Sequence, residues 1–348
     1  MPETQISNIN IRLKLIHQFG EELHKQLAQT ESPIVEELKS ISGSAKAQNQ
    51  WFLWTEIERS FRGISTWFTP ESLATLRAEI KQNLDGEKAP YDRVGIICAG
   101  NIPFVGLHDV LMVYACGLEP VVKLSSQDRV CMMWFFNLFE TITGSKMATL
   151  VERMDNFDAV IATGSGNTAR YFETYFGKYP HIIRKNRTSV AILDDTTSDS
   201  DLKNLADDVF NYFGLGCRNV SHLFLPQGFL LDRLFEAFFE RGEYLMQHNK
   251  YMNNYDYHRA IYLLEKIPFL ENNFTILKKD PALFSPVGTT HYSFYTKKEE
   301  VLERIAQEEH TIQCVAGKDH IPFGQTQTPG ILDFADGVNT VEFLLKDK

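Results

Sequence analysis

Residues 93–125 read RVGIICAGNIPFVGLHDVLMVYACGLEPVVKLS, and this stretch decides how the rest of the chain is interpreted. It begins with a short apolar run that ends in glycine, which is typical of a buried strand. A helical segment closed by Gly117 follows, and then a second apolar run that ends near Lys123. Strand, helix and strand predict a β-α-β unit on a parallel sheet. Ligands of such sheets bind at the carboxyl ends of the strands, so functional residues are expected there.

The same alternation continues toward the C-terminus. Apolar runs of strand length are again separated by longer segments with helical periodicity. The predicted elements, in chain order, are a helix at 127–142, a strand at 157–165, a helix at 166–177, a strand at 187–194, a helix at 199–214 and a strand at 220–226. Mixed helix and strand are expected from there to about residue 316.

The two ends of the chain depart from this alternation. Residues 1–88 read as mostly helical, and Thr69 followed by Pro70 is typical of an N-cap and a first helical position. The last residues are predicted to be loop plus a terminal strand. The predicted domains are an N-terminal helical region with a cofactor-binding domain at 1–193, to which 318–348 returns, and a catalytic domain at 194–317.

Length and composition are those of an ordinary globular protein of about two domains. The 348 residues are 43% hydrophobic and carry a net charge of −10, which argues against a nucleic-acid partner or an anionic membrane surface. No apolar run approaches about 18 residues and the N-terminal stretch lacks a signal-peptide core, so we expect no membrane span and a cytoplasmic location. Five cysteines without a C-x-x-C spacing fit free thiols.

Cys217 has an unusual context within YFGLGCRNVSHLFLP (212–226). Glycines at 214 and 216 permit a sharp bend and leave room for a substrate, and the adjacent Arg218 is a cation that can favour a thiolate. A lone cysteine is more often a small core residue. That interpretation is preferred for the other four, Cys98, Cys116, Cys131 and Cys314. For Cys217 the local sequence leaves nucleophile and core residue open.

Three predicted strand ends carry further candidate residues. Asn101 follows the first strand, where its amide either donates to a developing oxyanion or caps a turn. Lys123 ends an apolar strand, where it either binds a nucleotide ribose or phosphate or extends to solvent. The turn at 163–166 opens a helix whose N–H groups can bind an anion. Its spacing departs from the dinucleotide fingerprint, because Ala169 stands in place of the last glycine.

Taken in order, these motifs resemble the aldehyde dehydrogenase superfamily, and most closely its LuxC-type branch, the fatty acyl-CoA reductases of bacterial bioluminescence. The resemblance covers about residues 90–345. The stretches that carry it are AGNIPFVGLHD (99–109), VVKLSSQD (121–128), DAVIATGSGNTARYF (158–172), YPHIIRKNRTSVAIL (179–193), YFGLGCRNVSHLFLP (212–226) and NKYMNNYDY (249–257). It implies an α/β, aldehyde-dehydrogenase-like fold: a Rossmann-like cofactor domain, an α/β catalytic domain and an N-terminal helical region.

The resemblance also implies a role for each candidate residue. Cys217 corresponds to the nucleophile, because GLGC resembles the family's glycine-x-x-cysteine turn. Asn101 corresponds to the asparagine that binds the oxyanion, with the Cys217 N–H as the second donor. The positions that correspond to the cofactor site are Lys123, Ser125, Ser126, Thr163, Gly164, Ser165 and Phe284.

Three departures from the family pattern are informative. Ser126 stands where a glutamate would bind a ribose 2′-hydroxyl and repel a 2′-phosphate, so NADPH is the expected cofactor. Ala282 replaces a second ribose-binding glutamate in ALFSPV (282–287). HIIRKNRTSVAIL (181–193) lacks the glutamate that activates water for hydrolysis, which favours thioester reduction over acid formation.

These features lead to a hypothesis of NADPH-dependent reduction of an acyl-CoA or acyl-protein thioester to an aldehyde, through an acyl-cysteine intermediate. The alternatives are a reductase of another activated acyl group such as an acyl phosphate, and a non-catalytic acyl- or nucleotide-binding protein. A thioesterase is disfavoured by the missing base. An acyl-transferring partner protein and a homo-oligomer stay open.

One polar, aromatic segment has no assigned role. MQHNKYMNNYDYHR (246–259) includes His248, Tyr251, Tyr255, Tyr257 and His258. It either lines the acyl or CoA site or forms a polar strand surface. No H-E-x-x-H motif and no paired Cys/His spacing occurs, so no metal site is predicted.

Overall fold

The chain divides into two compact units in the computed structural model, which describes residues 5–84, 89–164 and 166–346. The first unit comprises Met1–Lys185 and Pro329–Lys348, and the second comprises Asn186–Thr328. The domain boundaries predicted near residues 194 and 317 both fall inside the second unit.

The first unit begins with helices, as the sequence predicted. They are α1 (Gln5–Leu27), α2 (Pro33–Gln48), α3 (Trp54–Ser65) and α4 (Pro70–Asn83). Apolar residues of α1 recur at helical spacing, and Ile16, Phe19 and Leu23 are completely buried. The Phe19 ring packs edge-on against Phe135 with the ring centroids 5.5 Å apart, so α1 belongs to the core of this unit.

The predicted start of α4 is confirmed. Thr69 has extended backbone angles and its hydroxyl accepts a hydrogen bond from the Ser72 N–H at 3.3 Å. Pro70 follows as the first helical residue, where its missing N–H leaves no helical hydrogen bond unmade.

The β-α-β alternation predicted from residue 93 onward is also confirmed. Its elements are β1 (Arg93–Ile97), α5 (Leu107–Ala115), β2 (Glu119–Lys123), α6 (Arg129–Thr143), β3 (Thr149–Leu150), β4 (Ala159–Thr163), α7 (Gly166–Phe176) and β5 (His181–Arg184). Within the described residues the strands form a parallel sheet in the order β3-β2-β1-β4-β5. The middles of β1, β2 and β4 are buried throughout, which explains why their sequences read as continuous apolar runs.

The second unit is built on a mixed sheet. Its elements are β6 (Thr188–Ile192), α8 (Asp199–Phe210), β7 (Val220–Pro226), α9 (Asp232–Phe238), α10 (Gly242–Met246), α11 (Asn249–Leu264), β8 (Leu270–Glu271), β9 (Ile276–Lys279), β10 (Thr289–Tyr295), α12 (Lys298–Gln307) and β11 (Ile312–Ala316). The strand order over the described residues is β11-β6-β7-β10-β9-β8. Neighbouring strands are parallel except β8 and β9, which are antiparallel.

The terminal strand predicted from the sequence is wrong. Thr340–Leu345 forms a helix, α13, and this helix belongs to the first unit. Val341, Leu344 and Leu345 are buried at helical spacing. A short apolar run fits a strand and a buried helix equally well, because periodicity does not separate the two over so few residues.

The buried guanidinium of Arg184 holds the C-terminal segment in place within the first unit. Arg184 Nη2 lies 2.6 Å from Asp109 Oδ1, and both side chains are almost fully buried. The same guanidinium donates to the Ala335 carbonyl oxygen at 2.6 Å and to the Thr340 hydroxyl at 3.0 Å. Arg184 therefore joins the end of β5, the helix α5 and the start of α13.

Candidate active site

The carboxyl ends of β1, β2 and β4 lie side by side at one edge of the parallel sheet. Ile97 is in register with Lys123 on one side and with Ala162 on the other. The connection from β1 leads to β2, whereas β4 lies on the opposite side of β1, so the strand order reverses there. Such a reversal opens a crevice in which α/β proteins bind ligands. The fold therefore brings the Asn101 loop, Lys123 and the Thr163 turn to one edge.

Asn101 is exposed, in the loop between β1 and α5, and buried side chains hold the loop on both sides of it. The Asn49 amide donates to the Gly100 carbonyl oxygen at 3.0 Å. The Ser60 hydroxyl donates to the Pro103 carbonyl oxygen at 2.8 Å. Asn49 caps the end of α2 and Ser60 lies in α3, so the N-terminal helices help to position Asn101.

The same loop contains a strained residue. Phe104 has a left-handed φ of +60°, which is uncommon for a residue with a side chain. Its N–H donates to Asp128 Oδ2 at 2.8 Å. Asp128 is 2% exposed, and burial raises its pKa well above the ordinary value. This contact stabilises the strained backbone from the start of α6.

The loop after β2 lies directly against the Asn101 loop. Lys123 and Ser126 are exposed, and Ser125 is half-buried. A Cβ atom on Gly100 would lie 2.4 Å from Ser125 Oγ, a distance that side chains do not reach. Glycine is therefore required at position 100 by the close approach of the two loops.

The turn after β4 is described in part. Thr163 and Gly164 are half-buried at the strand end, and the Gly164 N–H donates to the Arg184 carbonyl oxygen at 3.2 Å. Ser165, the third residue predicted for this turn, lies outside the described residues.

The five thiols fall into two groups. Cys98, Cys116 and Cys131 are buried, and burial raises the pKa of each, so they hold little thiolate at neutral pH. Their interpretation as core residues is confirmed. Cys217 and Cys314 are partly exposed, so the interpretation of Cys314 as a core residue is not confirmed. Cys314 lies in the strand β11, whereas Cys217 lies in a loop. Cys217 is therefore the partly exposed thiol with the backbone setting more typical of a nucleophile.

Cys217 lies in a tight turn between α8 and β7. The Asn219 N–H donates to the Gly216 carbonyl oxygen at 3.0 Å and closes the turn. The Ser189 hydroxyl on β6 donates to the Cys217 carbonyl oxygen at 3.0 Å. The backbone of the candidate nucleophile is therefore held from within the turn and from the neighbouring strand.

The chain enters this turn through left-handed backbone. Tyr212 has φ 53° and ψ 24°, Phe213 has φ 57° and ψ 24°, and Gly214 has φ +77°. Left-handed residues normally occur singly in proteins, because the Cβ atom crowds the following carbonyl oxygen. Only the last of these positions holds a glycine, so the segment before Cys217 is strained.

A carboxylate of α8 fixes another segment beside the turn. Asp208 is completely buried and accepts hydrogen bonds from the Gly324 N–H at 2.7 Å and the Thr326 N–H at 2.9 Å. Burial raises the pKa of Asp208. Arg218, next to Cys217, contacts the Thr326 carbonyl oxygen at 3.5 Å. The residues after β11 thus belong to the surroundings of the turn.

Phe284 lies on the loop between β9 and β10, with its side chain 43% exposed. Two buried imidazoles anchor this loop: Nδ1 of His222 and Nδ1 of His291 lie 3.0 and 2.9 Å from the Ala282 carbonyl oxygen. Because a carbonyl oxygen only accepts, both Nδ1 atoms carry the proton. Burial lowers the pKa of both histidines, that of His222 to about 4.

The Cys217 turn and the loop between β9 and β10 line a common cavity of about 30 Å³, so they lie at the same end of the second unit. Gly214 and Asn219 line it from the turn, Ser285 and Pro286 from the loop, and Tyr251 from α11. Its volume accommodates about two water molecules. It is too small for an acyl chain or a nucleotide.

Most of the polar segment at 246–259 lies in the helix α11 (Asn249–Leu264) and none of it is a strand, so the strand alternative is wrong. His248 is the N-cap of α11, and its Nδ1 accepts from the Tyr251 N–H at 3.2 Å. Tyr251 and Tyr255 are buried four residues apart, as one face of a helix requires, whereas Tyr257 is exposed.

The described residues contain no cluster of three or more potential metal ligands. Within the same residues, no helix is both long enough and apolar enough to cross a membrane.

Sequence reasoning missed several of the residues that hold these loops, among them Asp128, Ser189 and Asn219. Ser189 is completely buried inside the apolar strand TSVAI, and a hydroxyl in such a run was a usable signal. Asp128 precedes a helix and reads as an ordinary cap. Asn219 follows a cysteine and an arginine, and nothing local distinguishes it from a surface turn residue.

Neither protein-family models nor curated proteins match this sequence, whereas solved structures match it in fold. Aldehyde dehydrogenase 21 from Physcomitrella patens, in complex with succinate, matches with a TM-score of 0.61 at 12% identity, over 95% of this chain and 79% of that one. An NAD+ complex of an aldehyde dehydrogenase from Bacillus cereus has a TM-score of 0.60 at 12% identity, over 89% and 71%. An oxidoreductase from Marinobacter aquaeolei has a TM-score of 0.61 at 14% identity, over 85% and 70%. The expected fold class is therefore confirmed: this is an α/β protein with an aldehyde-dehydrogenase-like fold.

Proposed function

We propose that the protein is an NADPH-dependent reductase of acyl-CoA or acyl-protein thioesters, and that it forms an acyl-enzyme on Cys217. The observation that carries the proposal is the Cys217 turn, in which strained backbone leads into a partly exposed thiol. Strain of this kind concentrates at functional sites. The aldehyde-dehydrogenase-like fold supports the same class of chemistry, since one similar structure is an aldehyde dehydrogenase in complex with NAD+.

In the proposed reaction the Cys217 thiolate attacks the thioester carbonyl carbon, and the bond from that carbon to the CoA sulfur breaks. CoA leaves and takes up a proton. Asn101 and the Cys217 N–H donate to the oxyanion, as the family resemblance implies. NADPH, when bound, supplies a hydride to the acyl carbon. The thiohemiacetal then collapses to the aldehyde and the free thiol, so one NADPH and one proton are consumed per acyl-CoA.

The edge of the parallel sheet suits the dinucleotide. Lys123 is exposed at a strand end, where its ammonium can bind a ribose or a phosphate. Ser126 is exposed and carries no charge, so a 2′-phosphate meets no repulsion from it. Thr163 and Gly164 lie where the strand order reverses, beside the start of α7. The family resemblance, rather than this edge, assigns the partly exposed ring of Phe284 to the nicotinamide.

The direction of the reaction follows from a missing carboxylate. The segment 181–193 forms β5, a connection and β6, and it contains no glutamate that could activate water. The family's position for the hydrolytic base therefore holds no glutamate, which disfavours hydrolysis of the acyl-enzyme, whereas transfer of a hydride needs no such base. We therefore assign the acyl-enzyme to reduction.

The experiment mixes the protein with a medium-chain acyl-CoA, without cofactor, and measures intact mass and the modified peptide. We expect one acyl adduct on Cys217 that NADPH discharges as aldehyde, with NADH less effective. Cys314→Ala, which removes the other partly exposed thiol, is the matched control and should still be acylated. Cys217→Ala should not.

The alternatives give different outcomes in the same assay. An adduct with an acyl phosphate or an acyl-protein, but with no acyl-CoA, assigns another acyl donor. Release of CoA that needs no NADPH indicates a thioesterase. No adduct with any donor, in a folded protein that binds NADPH, contradicts the proposal and leaves a binding protein.

A further inference from the structure

The side chain of Asn219 acts within the Cys217 turn itself. Asn219 is 3% exposed and lies two residues after the candidate nucleophile. Its Oδ1 accepts from the Gly216 N–H at 2.8 Å, while its own N–H donates to the Gly216 carbonyl oxygen at 3.0 Å. Both backbone groups of the residue before Cys217 are thus bound by one asparagine.

The other end of the same amide reaches the end of α8. Nδ2 lies 3.0, 3.3 and 2.8 Å from the carbonyl oxygens of Asp208, Val209 and Asn211. The last carbonyl groups of a helix have no partner within the helix. Asn219 shares its two N–H groups among these oxygens and caps α8 from a distance in the sequence. Reversing the amide would place Oδ1 against three carbonyl oxygens, so its orientation is determined.

The strained residues lie between these two anchors. Tyr212, Phe213 and Gly214 continue from the carbonyl group of Asn211 and end shortly before the N–H of Gly216. Consecutive left-handed residues are unfavourable and persist only where the surroundings hold them. Asn219 forms hydrogen bonds to the chain on both sides of this segment, to Asn211 before it and to Gly216 after it. These bonds fix the ends of the segment and therefore the position of Cys217.

We infer that Asn219 is a positioning residue: it holds the turn against the end of α8 and thereby sets the reactivity of the Cys217 thiol. The inference rests on the proposed role of Cys217 as nucleophile. Its physical basis is that a displacement of about 1 Å at a reacting atom can lower a rate by about 100-fold. Removing this side chain is therefore expected to change the chemistry of the thiol, beyond the stability of the fold.

The test is alkylation of native protein by iodoacetamide across about pH 6 to 10, a range that spans thiolate formation, with each thiol followed by peptide mass spectrometry. Asn219→Ala removes both sets of hydrogen bonds and adds no charge. We expect the rate at Cys217 near neutral pH to fall about 10-fold or more and its rate–pH profile to change, because a displaced thiol alters both its thiolate fraction and the access of the reagent. The Cys314 Sγ lies 3.0 Å from the Ser189 hydroxyl that also bonds the Cys217 carbonyl oxygen, so Cys314 in the same molecules should change far less than Cys217 but is not fully independent of the turn.

Asn83→Ala is the matched control, because Asn83 is equally buried, bonds a backbone carbonyl and lies in the first unit. It should lower stability and leave the Cys217 profile unchanged. Gly214→Ala acts on the same segment from within: the added methyl meets only the Val209 carbonyl oxygen at 3.5 Å, but φ is +77°. We expect it to slow Cys217 as well, and it serves if Asn219→Ala does not fold.

The outcomes separate this inference from the proposed function. Cys217 profiles that superimpose on the unmodified protein in both variants, with only stability reduced, would overturn the positioning role and leave the nucleophile intact. Cys217 that reacts no faster than Cys314 in the unmodified protein would overturn the nucleophile and the positioning role together. Selective loss at Cys217 in Asn219→Ala supports the inference, whichever acyl donor the enzyme uses, and the same loss in Gly214→Ala supports the dependence of the thiol on the left-handed segment that Asn219 holds.

Discussion

Lowering the pH from 7 to 5 is expected to destabilise the second unit through His222. This imidazole is completely buried, with Nδ1 bonded to the Ala282 carbonyl oxygen at 3.0 Å and Nε2 to the Ser293 hydroxyl at 2.9 Å. Burial lowers its pKa to about 4. Unfolded histidine titrates near about 6.5. Between these values the unfolded chain binds more protons than the folded one, so stability is fully present above about pH 6.5 and is lost as the pH falls toward 4.

The size of the effect follows from the interval. A pH of 5 is about 1.5 units below the pKa of histidine in the unfolded chain. Each unit corresponds to about 1.36 kcal/mol, so His222 alone lowers the free energy of unfolding by about 2 kcal/mol at this pH. His291 bonds the same carbonyl oxygen, and burial lowers its pKa too, so it adds to the loss in the same direction.

The assay is urea denaturation at pH 7 and at pH 5. His222→Asn keeps an N–H donor near the position of Nδ1 but cannot be protonated in this range. We expect the loss of stability between the two pH values to be about 2 kcal/mol smaller in this variant. His310→Asn removes an exposed histidine and should leave the loss unchanged. An equal loss in the unmodified protein and in His222→Asn would refute the reasoning, whatever the stability at pH 7.

Two further predictions concern the first unit. Asp109→Ala leaves the buried guanidinium of Arg184 without its carboxylate, so the free energy of unfolding should fall by about 3–5 kcal/mol. Adding Arg184→Met removes the unpaired charge and should recover much of this loss. A loss below about 1 kcal/mol in Asp109→Ala would contradict the buried pair. Gly100→Ala forces a methyl against Ser125, at a strain of about 1–3 kcal/mol, so NADPH binding measured by fluorescence titration should weaken about 10-fold. An unchanged Kd in Gly100→Ala would argue against this edge as the cofactor site.

Local patterns predicted the elements that local chemistry determines. Thr69 and Pro70 mark the start of α4, because the Thr69 hydroxyl caps the helix and the fixed φ of Pro70 suits the first helical position. The apolar runs at β1, β2 and β4 predicted a parallel sheet, since a strand buried on both faces has no polar alternation. The errors fall where the local pattern is ambiguous. Val341 and its neighbours form a helix because of what they pack against, not because of their order.

The candidate site shows the same division. Glycines 214 and 216 around Cys217 indicated a sharp turn, and Asn101, Lys123 and Thr163 followed predicted strand ends. The sequence by itself therefore determined the class of fold, the parallel sheet with its edge of candidate residues, and the thiol to consider. Which roles these residues perform stays a prediction that the experiments above test.

Tertiary structure alone decided how the backbone around those residues is held. Asn49 and Ser60 reach the Asn101 loop from helices about 50 residues earlier, His222 and His291 meet on one carbonyl oxygen, and Asn219 caps α8 across the turn. Each contact joins groups whose spacing carries no periodicity, and a polar side chain does not reveal its partner before the chain is folded. Hydrogen bonds of buried groups are satisfied wherever the fold places a donor beside an acceptor, so only the folded chain shows them.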